Sequence, residues 1–185
     1  MTTRLITPPA TPALSLADAK DALKIDTSDQ DAQVEAWVAG ITAHAEHLTG
    51  RAFVTQTWRV TLDAFPDAIE LAHPPISAVS SVKFIDTNGV LQTLDPQDYV
   101  LDKESEPGYV VPAPEKSWPS TASQINAVKV EYTCGYGVDT DIPESIRLYL
   151  IAKLREQYDP AIKADKGTVQ SSFLDRLLDR ETVFA

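Results

Sequence analysis

The spacing of apolar residues changes twice along this chain of 185 residues, and these two changes constrain its fold more than any other feature. Apolar residues recur at helical spacing in residues 15–49, alternate with polar residues from Val54 onward, and return to helical spacing in residues 143–158. This order predicts an α+β fold whose small helical scaffold consists of two N-terminal helices and one C-terminal helix. An antiparallel β-sheet or open barrel is predicted as an insertion at about residues 53–134.

The predicted helices have recognisable ends. Ser15 is a good N-cap for a helix over residues 15–24, Gly50 ends the second helix, and Pro143 and Pro160 bound the third. The predicted scaffold core comprises the apolar residues on the inner stripes of the helices and one tryptophan of the first inserted strand. These residues are Val34, Trp37, Val38, Ile41, Leu48, Trp58, Ile146, Leu150 and Leu154.

The inserted segment contains several short predicted strands. Residues 54–62 alternate between apolar and polar side chains, which is typical of a half-buried strand. A hairpin is predicted between residues 82–85 and 90–94, because the intervening Asn88-Gly89 pair accepts the positive φ of a tight turn. Further strands are predicted at residues 69–71, 98–102, 108–111 and 127–133.

Both ends of the chain are predicted to lie outside a central domain of residues 14–160. Residues 1–13 contain three prolines, which disfavour helix and strand, and are predicted to form a flexible arm. Residues 161–185 form a predicted C-terminal tail whose short amphipathic helix carries Phe173, Leu174, Leu177 and Leu178. Because so short a helix is marginal in water, we expect it to be completed by a partner groove.

The net charge of −11 and the pI of about 4.6 argue against a face of clustered Lys and Arg that would neutralise nucleic-acid phosphates. The acidic excess is greatest in residues 53–140, which hold five basic and twelve acidic residues. The single cysteine, Cys134, cannot form an intrachain disulfide, so no oxidising compartment is required. No apolar run approaches the length of a membrane span and no export signal is visible, which predicts a soluble protein of cytosolic origin.

Candidate metal ligands have simpler explanations. His44 and His47 are three residues apart, whereas the zinc motif His-Glu-x-x-His requires a spacing of four. Asp26, Asp29 and Asp31 lack the glycine and the distal glutamate of a calcium-binding EF-hand loop, and a helix start favours the same carboxylates. We therefore predict no metal site and no cofactor.

The evidence for catalytic residues is equally weak. Glu104 and Glu106 could in principle act as paired carboxylates, but they lie in a Pro-Gly turn that leaves both solvated. The chain contains no Gly-x-Ser-x-Gly elbow and no phosphate-binding glycine loop, so an enzyme is disfavoured. Trp37 and Trp58 lie on apolar stripes and are predicted to be core residues, whereas the loop position of Trp118 leaves its role open.

A series of short motifs, in order and spacing, resembles the head-tail connector (adaptor) proteins of tailed bacteriophages and prophages. The motifs are residues 14–20 (LSLADAK), 48–51 (LTGR), 56–58 (QTW), 73–76 (HPPI), 81–83 (SVK), 116–119 (KSWP), 133–137 (TCGYG) and 142–143 (IP), with weaker similarity at Gly167-Thr168 and Leu177-Leu178. The resemblance covers roughly residues 14–160. Two features depart from the pattern: Cys134 replaces a small residue, and the chain ends Arg180-Glu181-Thr182-Val183-Phe184 where a Pro-Tyr pair is more usual.

The resemblance implies a virion protein, assembled in the cytoplasm of a bacterial host, that forms a ring of typically twelve subunits beneath the portal. Such a ring bridges the portal to stopper or tail-completion proteins, lets the genome pass through its centre, and has no catalytic residues. Twelve copies at −11 would total roughly −130 formal charges, so we expect a channel lined by this chain to repel phosphates. No sequence-specific nucleic-acid binding and no membrane partner are expected.

We hypothesise that the helices build the ring and that the C-terminal tail docks on the portal through Phe173, Leu174, Leu177, Leu178 and Phe184. The acidic strand insertion is assigned to the outer wall or to the contact with the tail. Two alternatives stay open. The chain could be a ligand- or carbohydrate-binding β module or a hydrolase with acidic loop residues, or it could be another neck or tail-completion protein.

Overall fold

The structure, a computed structural model, describes residues 1–159 and 176–183 of the chain. These residues form two compact units. The helical unit contains residues 10–54 and the described residues from Tyr136 onward, and the strand unit contains residues 1–9 and 55–135. In the described part of the chain, no helix combines the length and the hydropathy required to cross a bilayer.

Three helices form the helical unit: α1 (Leu16–Leu23), α2 (Asp31–Thr49) and α3 (Glu144–Tyr158). Their ends confirm the sequence predictions. The backbone N–H of Asp18 donates to the Ser15 hydroxyl over 3.1 Å, which caps α1. Gly50 ends α2 with a φ of 69°, a left-handed conformation that glycine adopts without a steric cost, and Pro143 immediately precedes α3.

The core of the helical unit confirms most of the predicted scaffold residues. Val34, Val38, Ile146, Leu150 and Leu154 are buried, while Trp37 and Ile41 are partly buried and pack against them. The prediction for one residue is wrong, because Leu48 is 48% exposed. The buried position in the last turn of α2 belongs to Thr49, whose hydroxyl donates to the Ala45 carbonyl over 2.9 Å and whose own carbonyl accepts the N–H of Val183 over 2.8 Å.

The strand unit contains eight strands in two antiparallel sheets. The first sheet has the order β1-β2-β8-β4-β5 and the second has the order β3-β7-β6. The strands are β1 (Thr2–Thr7), β2 (Gln56–Leu62), β3 (Ile69–Leu71), β4 (Ile76–Ile85), β5 (Leu91–Thr93), β6 (Tyr99–Asp102), β7 (Gly108–Pro112) and β8 (Val128–Cys134). The fold is therefore the predicted α+β class, and both sheets are open rather than closed into a barrel within the described residues.

Strand β8 lies at the centre of the five-stranded sheet, between β2 and β4. Its side chains alternate strictly: Val128, Val130, Tyr132 and Cys134 are buried, and the residues between them are partly exposed. Because directly opposite residues share a face, the register places the partly buried Trp58 of β2 on the inner side, opposite Tyr132.

The two sheets of the strand unit are held close together at β3, β7 and β8. The Tyr132 hydroxyl donates to the carbonyl of Ala72, directly after β3, over 2.9 Å. Gly108 of β7 lies so close to β4 that an added Cβ would be 2.8 Å from Cγ1 of Ile76. The glycine thus permits an approach that a side chain would prevent.

The N-terminal residues differ from the sequence prediction of a flexible arm. Residues 2–7 form β1, which pairs along β2 from Thr2 opposite Thr61 to Thr7 opposite Thr57. The prolines at positions 8 and 9 follow this strand and do not interrupt its ladder. The hairpin prediction is confirmed, since β4 and β5 are joined through Asp86, whose carbonyl accepts the N–H of Gly89 over 2.9 Å.

Candidate functional site

The residues predicted to dock on a portal fall into two groups. Leu178 is 4% exposed and lies in the core of the helical unit, in the same cluster as Ala45, Phe53, Ile146 and Leu150, and Leu177 is partly buried against that cluster. The other three, Phe173, Leu174 and Phe184, lie outside the described residues. Leu178 is therefore packed within its own chain, and its predicted contact with a portal stays a prediction.

Polar contacts attach the C-terminal segment, defined as residues 176–183, to the helical unit. Arg51 Nε donates to the Glu181 carbonyl over 2.5 Å, and the Glu181 carboxylate accepts from the Tyr136 hydroxyl over 3.3 Å and from the Ser145 hydroxyl over 3.2 Å. Arg51 is only 8% exposed, and a buried guanidinium is tolerated only where acceptors compensate its lost hydration. The segment is thus fixed both by an apolar anchor and by a polar residue.

A second set of contacts joins α1 to α3 in the helical unit. Arg147 Nη2 lies 2.7 Å from Asp18 Oδ2, and Arg155 Nε donates to the Ala22 carbonyl over 3.0 Å. The Ser15 hydroxyl and then the Arg147 guanidinium, both bonded to Asp18, lower the pKa of this carboxyl below its ordinary value of 3.8. These contacts fix the position of α3 relative to α1, so the three helices and the C-terminal segment form one braced unit.

The described residues form no metal-binding group, and the two candidate catalytic carboxylates lie in an exposed turn. His44 and His47 are exposed on α2, and within residues 1–159 and 176–183 no three His, Cys, Asp or Glu side chains are grouped closely enough to hold a metal ion. Glu104 and Glu106 are exposed in the turn between β6 and β7. The hydroxyl and backbone N–H of Ser105 lower the pKa of the neighbouring Asp102, whereas a general acid requires a raised one.

Two residues whose roles the sequence left open lie in the strand unit. Trp118 stacks on Phe65, with 4.7 Å between ring centroids and an angle of 9° between planes. Cys134 is buried at the end of β8, and its Sγ lies 3.8 Å from the Gln56 carbonyl. Both positions are consistent with packing roles, and neither residue adds a reactive group to the surface of this unit.

No protein-family model matches the chain, and no curated protein sequence matches it. Solved structures of gene transfer agent (GTA) particles do match: a chain in the neck of the empty particle computed with C6 symmetry (TM-score 0.81), one in the virion of the native particle (0.80), and one in the neck of the native particle computed with C12 symmetry (0.76). Each is 19% identical to this chain, and each match covers 100% of this chain and 97% of the other. The likeness shows that the chain shares the fold of these proteins.

Proposed function

We propose that this chain is a structural neck protein of a tailed phage or phage-like particle and forms an adaptor ring beneath the portal. The observation that carries the proposal is the fold match to GTA neck chains, which covers 100% of this chain and 97% of the matched chain. A match confined to one unit would support only a shared module. The series of motifs over residues 14–160 supports the same role independently of the fold.

In this proposal the subunits form a ring, with twelve copies in the virion. A closed ring requires heterologous contacts, in which one patch of each subunit meets a different patch of the next. The braced helical unit provides a rigid body for such contacts. The ring links the DNA-filled head to stopper or tail-completion proteins, is assembled in the host cytoplasm, and works without catalysis.

The C-terminal segment determines which residues are available to contact the portal. Leu178 and Glu181 bind it to its own helical unit, so they hold the segment in place. Phe173, Leu174 and Phe184 are the residues proposed to contact the portal, and the partly buried Leu177 lies between the two groups. This assignment separates an anchoring residue from contact residues within a stretch of twelve positions.

Sedimentation of the chain with purified portal protein tests this proposal. We expect the full-length chain to co-sediment with portal rings, and the double variant Phe173→Ala/Leu174→Ala to remain unbound while melting at the wild-type temperature. The control is the surface variant Gln33→Ala, because Gln33 is exposed on α2.

Three further measurements, on a stopper or tail-completion protein, a sugar panel and a hydrolysis assay, would reject the proposal in distinct ways. Binding to a stopper or tail-completion protein, without binding to portal, would indicate another neck protein. Binding of a sugar panel, or hydrolytic activity that depends on Glu104 or Glu106, would indicate a ligand-binding module or a hydrolase.

A further inference from the structure

One face of the five-stranded sheet collects basic residues from four different strands. Strand pairing places Arg4 of β1 opposite Arg59 of β2, and Lys83 of β4 opposite Lys129 of β8. All four point away from the buried side of the sheet, since their neighbours along each strand face inward. We call Arg4, Arg59, Lys83 and Lys129 the basic sheet face.

Among the residues of the described strands, one carboxylate shares this face. Glu131 of β8 lies opposite Arg59, and Arg59 Nε donates to it over 2.9 Å. Arg4, Lys83 and Lys129 form no ion pair with any carboxylate in the part of the chain that the structure describes. The face therefore carries three uncompensated positive charges, although the whole chain has a net charge of −11.

The arrangement is unfavourable for the isolated sheet. Like charges directly opposite each other on adjacent strands destabilise a sheet, and this face contains two such pairs. The chain has 27 acidic residues, yet within residues 1–159 and 176–183 none lies opposite Arg4, Lys83 or Lys129. Cross-strand pairing therefore contributes no ion-pair stabilisation at these three positions, which points to a ligand that bears negative charge.

The other side chains on the face indicate which ligand. Threonine hydroxyls lie between and beside the basic residues: Thr2, Thr57, Thr61, Thr93 and Thr133. Hydroxyl, lysine and arginine side chains are the groups that proteins use to contact DNA phosphates. Among the residues of the described strands, no aromatic side chain lies on this face, whereas protein–protein interfaces are enriched in aromatic anchors.

We propose that the basic sheet face contacts the phosphate backbone of double-stranded DNA without reading its sequence. The basic residues extend over four adjacent strands, or about 14 Å, and duplex DNA presents one phosphate charge per about 1.7 Å of its axis. Several phosphates therefore fall within reach of the face. The charges act locally, because salt screens the acidic remainder of the chain beyond about 8–10 Å.

The contact is weak and strongly dependent on salt. Three phosphate contacts give a slope of about −2.7 for log K against log salt concentration, which is about a 40-fold loss of affinity between about 50 and 200 mM salt. Such a contact would hold DNA only where DNA is already confined, as in a neck channel. The biological role of this contact therefore rests on the proposed function, but the binding itself can be measured with the isolated chain.

Nuclear magnetic resonance of the full-length, nitrogen-15-labelled chain tests the inference, with a short DNA duplex of arbitrary sequence as the probe. We expect the amide signals of β1, β2, β4 and β8 to shift on titration at low salt, and a second duplex sequence to give the same shifts. The double variant Lys83→Gln/Lys129→Gln should lose most of the affinity and reduce the salt slope by about 2. The matched control is Lys103→Gln/Lys116→Gln, which removes two exposed charges from the same unit and should bind as the wild type does.

Three results would overturn the inference. The first is the absence of any duplex-induced shift at the basic sheet face, and the second is a loss of affinity in the control variant as large as that in the test variant. The third is a shift of the same signals with protein concentration when no DNA is present, which would assign the face to an acidic surface of a second copy. Arg4→Gln on the exposed edge strand provides a second test variant if the double variant is unfolded. Portal binding is measured separately, so failure here would not be confused with failure of the neck role.

Discussion

Lys83 of β4 lies directly opposite Lys129 of β8, so two ammonium groups share one face of the sheet with no described carboxylate bound to either. Opposite charges at such a pair stabilise a sheet and like charges destabilise it, by about 0.2–1 kcal/mol. We therefore predict that Lys83→Glu raises the free energy of unfolding by that amount at low salt. Urea denaturation at low and high salt measures it, and the gain should shrink as salt screens the pair.

The control for this stability prediction is Lys103→Glu, which makes the same charge change in an exposed turn. It should leave the free energy of unfolding within about 0.5 kcal/mol of the wild type, as surface substitutions usually do. Equal stabilisation by both variants would attribute the effect to net charge and not to the lysine pair.

The anchoring role of Leu178 gives a second prediction. Leu178→Ala removes a buried side chain from the core of the helical unit, which should lower the free energy of unfolding by about 2–5 kcal/mol. Phe173→Ala/Leu174→Ala should leave that free energy close to wild type and weaken only portal binding. Thermal melting and co-sedimentation of both variants separate the two roles, and a neutral Leu178→Ala would contradict the packing seen here.

The lowered pKa of Asp18 gives a pH prediction. Because the folded-state pKa lies below the ordinary value of 3.8, the ionised carboxyl stabilises the folded state above that pH, and this contribution is lost as the pH falls through the folded-state pKa. Asp18→Asn should therefore be less stable than wild type at pH 7, and the difference should diminish below about pH 4. Urea midpoints across this range measure it. Asp21→Asn, at an exposed position of the same helix, is the control and should show a smaller difference at pH 7.

Tyr132 gives a prediction at the alkaline end. Burial first, and then the nearby Cys134 and Glu70, raise the pKa of this phenol above its ordinary value of 10.0. The unfolded chain therefore releases the proton more readily, so the stability that Tyr132 contributes is complete below about pH 10 and declines above it. Tyr132→Phe should lose about 1 kcal/mol at neutral pH with its hydrogen bond to Ala72, and its stability should decline less steeply above pH 10. An unchanged alkaline slope would contradict this.

Much of the fold was predictable from local signals in the sequence. Ser15, Gly50 and the Asn88-Gly89 pair each act through the backbone within a few residues of themselves, and the structure confirms the cap, the helix end and the turn that they predict. The alternation in residues 54–62 likewise identified β2 and its inner side. These features depend on chain geometry that neighbouring residues determine almost alone.

Features that depend on distant contacts were not predictable in this way. Leu48 satisfies the helical spacing, but the carbonyl of Thr49 accepts from Val183, more than 130 positions later, and the buried side of the last helical turn follows that contact. Residues 2–7 become a strand because the edge of β2 provides hydrogen-bond partners, not because of their own spacing. Leu178 similarly shares an amphipathic motif with residues predicted to contact a partner, and only the tertiary structure identifies it as an anchor.

The basic sheet face shows a feature that composition alone could not locate. The net charge predicted no face of clustered basic residues, whereas strand pairing in the five-stranded sheet places four basic residues on one face. Its four basic residues are at positions 4, 59, 83 and 129, and strand register alone brings them together. A sequence signal did exist for three of them, since Arg59, Lys83 and Lys129 each lie between inward-facing neighbours of an alternating strand. This signal could locate the basic face only once the order of the strands was known, and strand order cannot be derived from the alternation itself.

The most direct test of the neck role is the rotational symmetry of the complex that this chain forms with its portal. Negative-stain class averages of the mixture should show an added annular layer on one end of the portal, with twelve subunits as in the proposed ring. An unchanged portal in a mixture where both proteins are folded and in excess would contradict the account.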